Sequence, residues 1–137
     1  MKKRYLSLFD EIKNNPSKPM ELNDHVLVID GLNNFIRCFS AIPMMSDNGY
    51  HVGGLIGFLR SLSYIIKLIQ PTRILIVFDG KGGSQKRRKL FPDYKANRPP
   101  PPDELVPQFS LVKEATQAFG LPAIEMPGYE ADDIIAT

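Results

Sequence analysis

The sequence predicts an α/β fold built on a parallel sheet, and three observations predict it. Two continuously apolar runs, Val26-Leu27-Val28-Ile29 and Ile74-Leu75-Ile76-Val77-Phe78, read as strands buried on both faces. Between them Leu55, Phe58, Leu59, Leu62, Ile65, Ile66 and Ile69 recur at three- and four-residue steps, so the connection is helical. Each run ends on a lone aspartate, Asp30 or Asp79. Parallel neighbours joined by a helical crossover bring those ends to one sheet edge, where open α/β folds place their ligands.

Residues 5–13 read as a short amphipathic helix and Asn14 to Pro19 as a linker, so residues 1–22 form an appendage and residues 23–137 the domain. Strand one covers about 25–29. A short helix then runs through Phe35, Ile36 and Phe39 and ends near Pro43, and Ser46-Asp47-Asn48-Gly49 is a turn. The main helix extends from about Val52 to Ile69, where Pro71 stops it. Strand two follows at about 73–78. Beyond Asp79 come about 25 residues that are glycine-rich, then basic, then polyproline at Pro99-Pro100-Pro101-Pro102, a length at which a loop is usually functional or disordered.

A helix from about Asp103 to Phe119 turns Leu105, Phe109, Val112, Ala115 and Phe119 inward and stops at Gly120. Leu121 to Glu125 predicts a short third strand, and Met126-Pro127-Gly128 a turn into a last helix. Thr137 falls about two turns into that helix without a cap, which predicts a fragment.

At 137 residues and 43% hydrophobic content the chain is the size of one domain with one core. Its net charge of +2 is uninformative, but the distribution is not. Lys81, Lys86, Arg87, Arg88, Lys89, Lys95 and Arg98 face only Asp93, a net +6, whereas residues 99–137 carry a net −6. Adjacent segments of opposite sign suit a protein that grips phosphates with one and metal ions with the other, or else form two solvated surfaces. Cys38 is the only cysteine, which excludes an internal disulfide and a cysteine-rich zinc site and fits a reducing, cytosolic setting. The basic N-terminus is followed by a charge-broken segment, and no run of about 18 apolar residues occurs, so a soluble, non-exported protein with no membrane partner is expected.

Asp30, Asp79, Glu130, Asp132 and Asp133 are the candidate metal ligands. Gathered in one crevice they repel, by on the order of 4 kcal/mol per pair at about 4 Å and an effective dielectric near 20, so a cation must compensate. All-oxygen donors suit Mg²⁺, with Mn²⁺ as the alternative, and such ions activate water against a phosphodiester. Each acid also has a purely structural explanation. Asp30 and Asp79 each precede a glycine as turn residues do. The other three lie in the first turn of a helix, where the backbone dipole favours acids, with Glu130 and Asp133 on one face and Asp132 partly elsewhere.

Lys86, Arg87, Arg88 and Lys89, with Tyr94-Lys95-Ala96-Asn97-Arg98, combine cations with an aromatic ring. The cations suit phosphates, and Tyr94 or Phe91 suits stacking on an unpaired base, which implies single-stranded or frayed nucleic acid; a solvated charged loop is the alternative. Gly80-Lys81-Gly82-Gly83-Ser84 lacks the spacing of an ATP-binding loop. His25 and His51 are isolated and are candidates for neither base nor ligand. A phosphatase with Asp30 as nucleophile needs an aspartate two residues on, where Leu32 stands.

From Val26 to Thr137 the chain resembles the 5′ nuclease family, which comprises the 5′→3′ exonuclease domain of bacterial DNA polymerase I and the related phage and cellular flap endonucleases. The resemblance is carried by Val28-Ile29-Asp30-Gly31, Arg37, Phe39, Ala41-Ile42-Pro43, Gly57-Phe58-Leu59 and Val77-Phe78-Asp79. It continues through Tyr94 to Pro99, Pro102-Asp103-Glu104-Leu105 and Gly128-Tyr129-Glu130-Ala131-Asp132-Asp133. It implies a three-layer parallel-sheet nuclease core of PIN-like type, with a basic arch between strand two and the next helix. It also implies an Mg²⁺-dependent nuclease acting on DNA with 5′ ends or flaps, or on RNA–DNA hybrid, in the cytoplasm of a bacterial or phage-infected cell.

In that reading Asp30, Asp79, Glu130, Asp132 and Asp133 form the metal site, and Arg37, Tyr94, Lys95 and Arg98 handle the scissile phosphate and the 5′ strand. The stretch between Asp79 and Tyr94 is more similar to the phage relatives than to the polymerase domain. The family's further acidic motif and helix-hairpin-helix element would lie beyond Thr137. The resemblance therefore implies the N-terminal part of the domain, active when completed by its C-terminal half, in the same product with or without a polymerase, or as a separate chain. A catalytically silent nucleic-acid-binding module is the second expectation.

Overall fold

In the computed structural model, residues 25–137 are described, and the predicted appendage lies outside them. Strands β1 (Val26–Asp30) and β2 (Arg73–Phe78) pair in parallel, Val26 beside Arg73 and Asp30 beside Val77. β2 also pairs in parallel with β3 (Ala123–Glu125), so the sheet order follows the chain. The helices are α1 (Gly31–Ala41), α2 (Gly53–Ile69), α3 (Gln85–Leu90), α4 (Leu105–Ala118) and α5 (Ala131–Ile135). The predicted α/β class and every predicted element between 25 and 137 are present; α3, inside the long loop, is an addition.

The apolar stripes of α1, α2 and α4 converge on one sheet face. Phe35, Phe58, Leu62 and Val112 pack there with Ile29, Ile76 and Phe78 from the strands, a single core. Phe109 adds ring contacts to Phe35 and Phe78, with centroids 5.4 and 5.5 Å apart. The expectation that the first strand is buried on both faces does not hold. Val26 and Val28 are 52% and 41% exposed, because these three helices all choose the face of Ile29 and Ile76. A continuous apolar run shows that both faces are suited to burial, not that this stretch of chain supplies cover for both. Among the described residues no helix is long and apolar enough to cross a membrane.

Helix α4 packs Leu105, Phe109 and Val112 inward as predicted, but polar residues share its most buried row and Phe119, just past its end, does not join. Gln108, Val112 and Thr116, spaced by four, are its buried residues, and Phe119 is 67% exposed. The reason lies in α2, whose Val52 N-cap has no side-chain bond to offer the first turn. Gln108 reaches across instead: its Oε1 accepts from the Gly54 N–H at 3.0 Å and the Leu55 N–H at 3.4 Å, and its Nε2 pairs with His51 Nδ1 at 2.5 Å. A buried glutamine thus caps a helix in trans. Replacing Gln108 with Ala leaves the Gly54 N–H buried without an acceptor and is expected to destabilise the chain by about 2 kcal/mol in urea unfolding.

Candidate metal centre and basic arch

The parallel register sets the geometry of the acids. Asp30 is paired with Val77, so Asp79 emerges two residues further on, at the same C-terminal edge. Asp30 is also the N-cap of α1, its Oδ1 accepting from the Asn33 N–H at 2.9 Å. Asp79 accepts from the Ala131 N–H at 2.7 Å, which docks the first turn of α5 on the end of β2. That docking needs a close backbone approach. A Cβ on Gly80 would lie 1.8 Å from the Met126 carbonyl oxygen, and the Gly80 N–H donates to the Tyr129 carbonyl at 3.0 Å.

Asp30, Asp79, Glu130 and Asp132 line one crevice of about 440 Å³, together with Lys95, Arg98, Asn33 and Pro99. The three segments therefore meet, as the sequence predicts. Asp133 is not in the lining. Its carboxylate turns back to accept from the Glu130 N–H at 2.9 Å, forming a capping box with Glu130. Burial pushes the Asp30 carboxyl up and the Asn33 N–H pulls it down, but the charges of Asp79 and Asp132 push the same way as burial and the net shift is upward.

Glu130 behaves oppositely. Its side chain is only 5% exposed, and it accepts from Lys95 Nζ at 2.6 Å, from Tyr94 Oη at 2.8 Å and from Arg87 Nη1. Burial raises the Glu130 carboxyl, yet the hydrogen bonds from Lys95 and Tyr94 and the charges of Lys95 and Arg87 outweigh it and hold it below the usual carboxylate range. Arg87 also bridges to Asp133, Nη2 to Oδ1 at 2.5 Å and Nη1 to Oδ2 at 3.2 Å.

These pairings change the reading of the arch. Arg87 and Tyr94, expected to face nucleic acid, are drawn onto the acids: the phenol is used as a donor, and Lys95 Nζ and the Arg87 guanidinium lie 5.1 and 5.8 Å from its ring centroid. Lys86 sits over the Tyr129 ring, 3.6 Å from its centroid. Arg88 lines a second, neighbouring cleft with Lys95, Arg98, Pro99 and Phe39, while Lys89 is exposed. Arg37 is exposed on α1 and lines neither cleft. Lys95 holds a left-handed backbone, φ 58°, an unfavourable conformation for lysine that its bonds to Glu130 sustain.

Among the described residues no group of three or more acid, histidine or cysteine side chains is already arranged to hold a metal ion. Sequence alone had the five acids converging as ligands; the fold brings Asp30, Asp79, Glu130 and Asp132 to one crevice, leaves Asp133 outside it, and spends Glu130 and Asp133 on Arg87 and Lys95. Asp30, Asp79 and Asp132 have no ion-pair partner among the described residues, and their donor chemistry suits a hard, oxygen-seeking divalent cation. Two residues escaped sequence reading, Gln108 and the buried Thr116; a polar residue on an otherwise apolar helix face was the available signal.

A parallel α/β sheet with an acidic crevice at its C-terminal edge and a basic arch beside it defines a nuclease-type core. Residues 25–137 match the family described as 5′-3′ exonuclease, N-terminal resolvase-like domain, and the chain belongs to that family. It is 40% identical over 127 residues to DNA polymerase I of Rhizobium leguminosarum, covering 86% of this chain and 12% of the polymerase. It is 42% identical over 120 residues to the 5'-3' exonuclease of Bacillus subtilis (strain 168), covering 84% of this chain and 40% of that protein. The fold matches the bacteriophage T5 D15 protein co-crystallised with metal ions at a TM-score of 0.56 and 24% identity, over 81% of this chain and 41% of that one.

The raised Asp30 makes a stability prediction. A carboxyl whose folded pKa is raised contributes stability while protonated, and that contribution is lost as pH rises through its folded pKa. Asp30→Asn keeps an N-cap acceptor. In EDTA its thermal midpoint is expected to exceed that of the parent chain at neutral pH, with the advantage vanishing below the ordinary aspartate range, near about pH 4.

Proposed function

We propose that this chain is the N-terminal part of a divalent-metal-dependent 5′→3′ exonuclease or flap endonuclease that hydrolyses DNA phosphodiester bonds. The observation that carries the reading is one crevice lined both by Asp30, Asp79, Glu130 and Asp132 and by Lys95 and Arg98. Acids alone would repel a phosphate and cations alone would not hold a metal. Asp30, Asp79 and Asp132, with Glu130, would hold the ion, Mg²⁺ or alternatively Mn²⁺. When bound, that ion supplies charge neutralisation and water activation.

Lys95 and Arg98 offer charged N–H donors to the oxygens of the phosphodiester and stabilise charge that develops there. Arg88, Lys86 and Lys89 extend the positive surface along the 5′ strand, giving affinity without sequence reading. Arg37 is retained as a phosphate contact on the family resemblance alone. Because the chain spans 40% of the Bacillus exonuclease and 12% of the Rhizobium polymerase, full activity is assigned to the chain completed by the rest of the domain, whether or not a polymerase is attached. RNA–DNA hybrid is a further candidate substrate. The absence of a preformed three-acid cluster among the described residues favours a second reading, a nucleic-acid-binding module without catalysis.

The test is cleavage of a labelled 5′-flap DNA in Mg²⁺ by the 137-residue chain, alone and supplemented with the C-terminal half of a homologous domain. Asp79→Ala and Asp132→Ala are each expected to lower cleavage by about a hundredfold or more. Arg98→Ala is expected to weaken DNA binding and reduce the magnitude of the log–log salt slope by about one. Salt-sensitive binding with no cleavage in either format would establish the silent module instead.

A further inference from the structure

The sequence offers Lys86, Arg87, Arg88 and Lys89 as equivalent phosphate contacts, but the fold singles out one. Arg87 alone among the four turns its guanidinium to carboxylates, bridging Asp133 and Glu130. With Lys95 on Oε1 and Tyr94 and Arg87 on Oε2, both oxygens of Glu130 are engaged by arch residues. Glu130 and Asp133 in turn form the capping box of α5, the same turn whose Ala131 N–H is held by Asp79. The arch, the first turn of α5 and the end of β2 are thus one connected network.

Resting on the nuclease reading, we infer that Arg87 is a positioning residue that docks α3 onto α5 through Asp133 and Glu130, and that its ion pair to Glu130 competes with a divalent cation for that carboxylate. A cation approaching Glu130 meets an oxygen pair already neutralised by Lys95 and Arg87, so full coordination requires those bonds to be released or shared. Linkage makes the competition reciprocal. Whatever draws Arg87 and Lys95 away, such as the phosphates of a bound strand, strengthens cation binding by the same factor that the cation strengthens strand binding. Cation and substrate then assemble the site together.

The test measures Mn²⁺ binding to the 137-residue chain by electron paramagnetic resonance of the free ion, alongside chymotryptic cleavage after Leu90 and Tyr94. Arg87→Gln removes the competitor, and is expected to tighten Mn²⁺ binding about fivefold, the lower end of typical coupling, and to expose the arch to cleavage in EDTA. Arg87→Lys, which keeps the charge but cannot fork across two carboxylates, is expected to fall between and guards against a misfolded glutamine variant. Lys81→Gln removes the same charge from an exposed side chain in the neighbouring turn, and is expected to change neither readout.

Equal Mn²⁺ affinity and equal cleavage in Arg87→Gln and the parent chain would overturn the inference while leaving the metal reading intact. Equal tightening in Lys81→Gln would overturn it too, in favour of bulk charge. No Mn²⁺ binding by any form, Asp79→Asn included, would overturn the metal reading and the competition with it.

Discussion

Like charges delivered to one end of a small parallel sheet are the constraint on which the rest of this structure depends. Because β1 and β2 run in parallel and in register, Asp30 and Asp79 reach the same edge, and Asp79 then recruits the turn that carries Glu130, Asp132 and Asp133. At an effective dielectric near 20, a pair of such charges about 4 Å apart costs on the order of 4 kcal/mol, comparable with much of a domain's net stability. The molecule compensates part of this from within. Arg87, Lys95 and Tyr94 hold Glu130, and Arg87 holds Asp133, whereas Asp30, Asp79 and Asp132 face the crevice without an ion-pair partner among the described residues. Burial first, and the like charges of Asp79 and Asp132 second, shift Asp30 upward, whereas on the other wall Lys95, Tyr94 and Arg87 outweigh the burial of Glu130 and shift it downward.

This division gives the arch two tasks. Its cations serve as counter-ions of the fold, and in the proposed reaction they serve as phosphate donors. The backbone is built to keep the two tasks close. Gly80 permits contact with the carbonyl of Met126, the Gly128 N–H donates to the Lys81 carbonyl at 2.9 Å, and Lys95 accepts a left-handed conformation to reach Glu130. Unfavourable local geometry of this sort persists where surrounding contacts over-determine it, and it is concentrated here between the acids and the arch.

Much of the fold was legible because its signals are local and periodic. The strand runs, the stripe of α2 and the glycine stop after α4 each follow from a few consecutive residues, and the observed elements lie close to their expected ranges. The misreadings share one cause. Whether Val28 is covered, whether Phe119 or Thr116 faces inward, and whether Gln108 is solvated or caps a helix all depend on which element arrives from elsewhere in the chain. Hydrophobic periodicity states a face's preference and is silent about its partner.

The acids show the same boundary within the site. From order and residue type alone, the sequence put Asp30 and Asp79 at one sheet edge and offered them, with the Glu130 to Asp133 cluster, as candidates for one crevice, while leaving each acid a structural alternative. Only the tertiary structure decided which acid meets which cation. Asp132 and Asp133 are neighbours in sequence, yet one lines the crevice and the other is clasped by Arg87, because successive residues on a helix point about 100° apart and a long arginine side chain can choose between them.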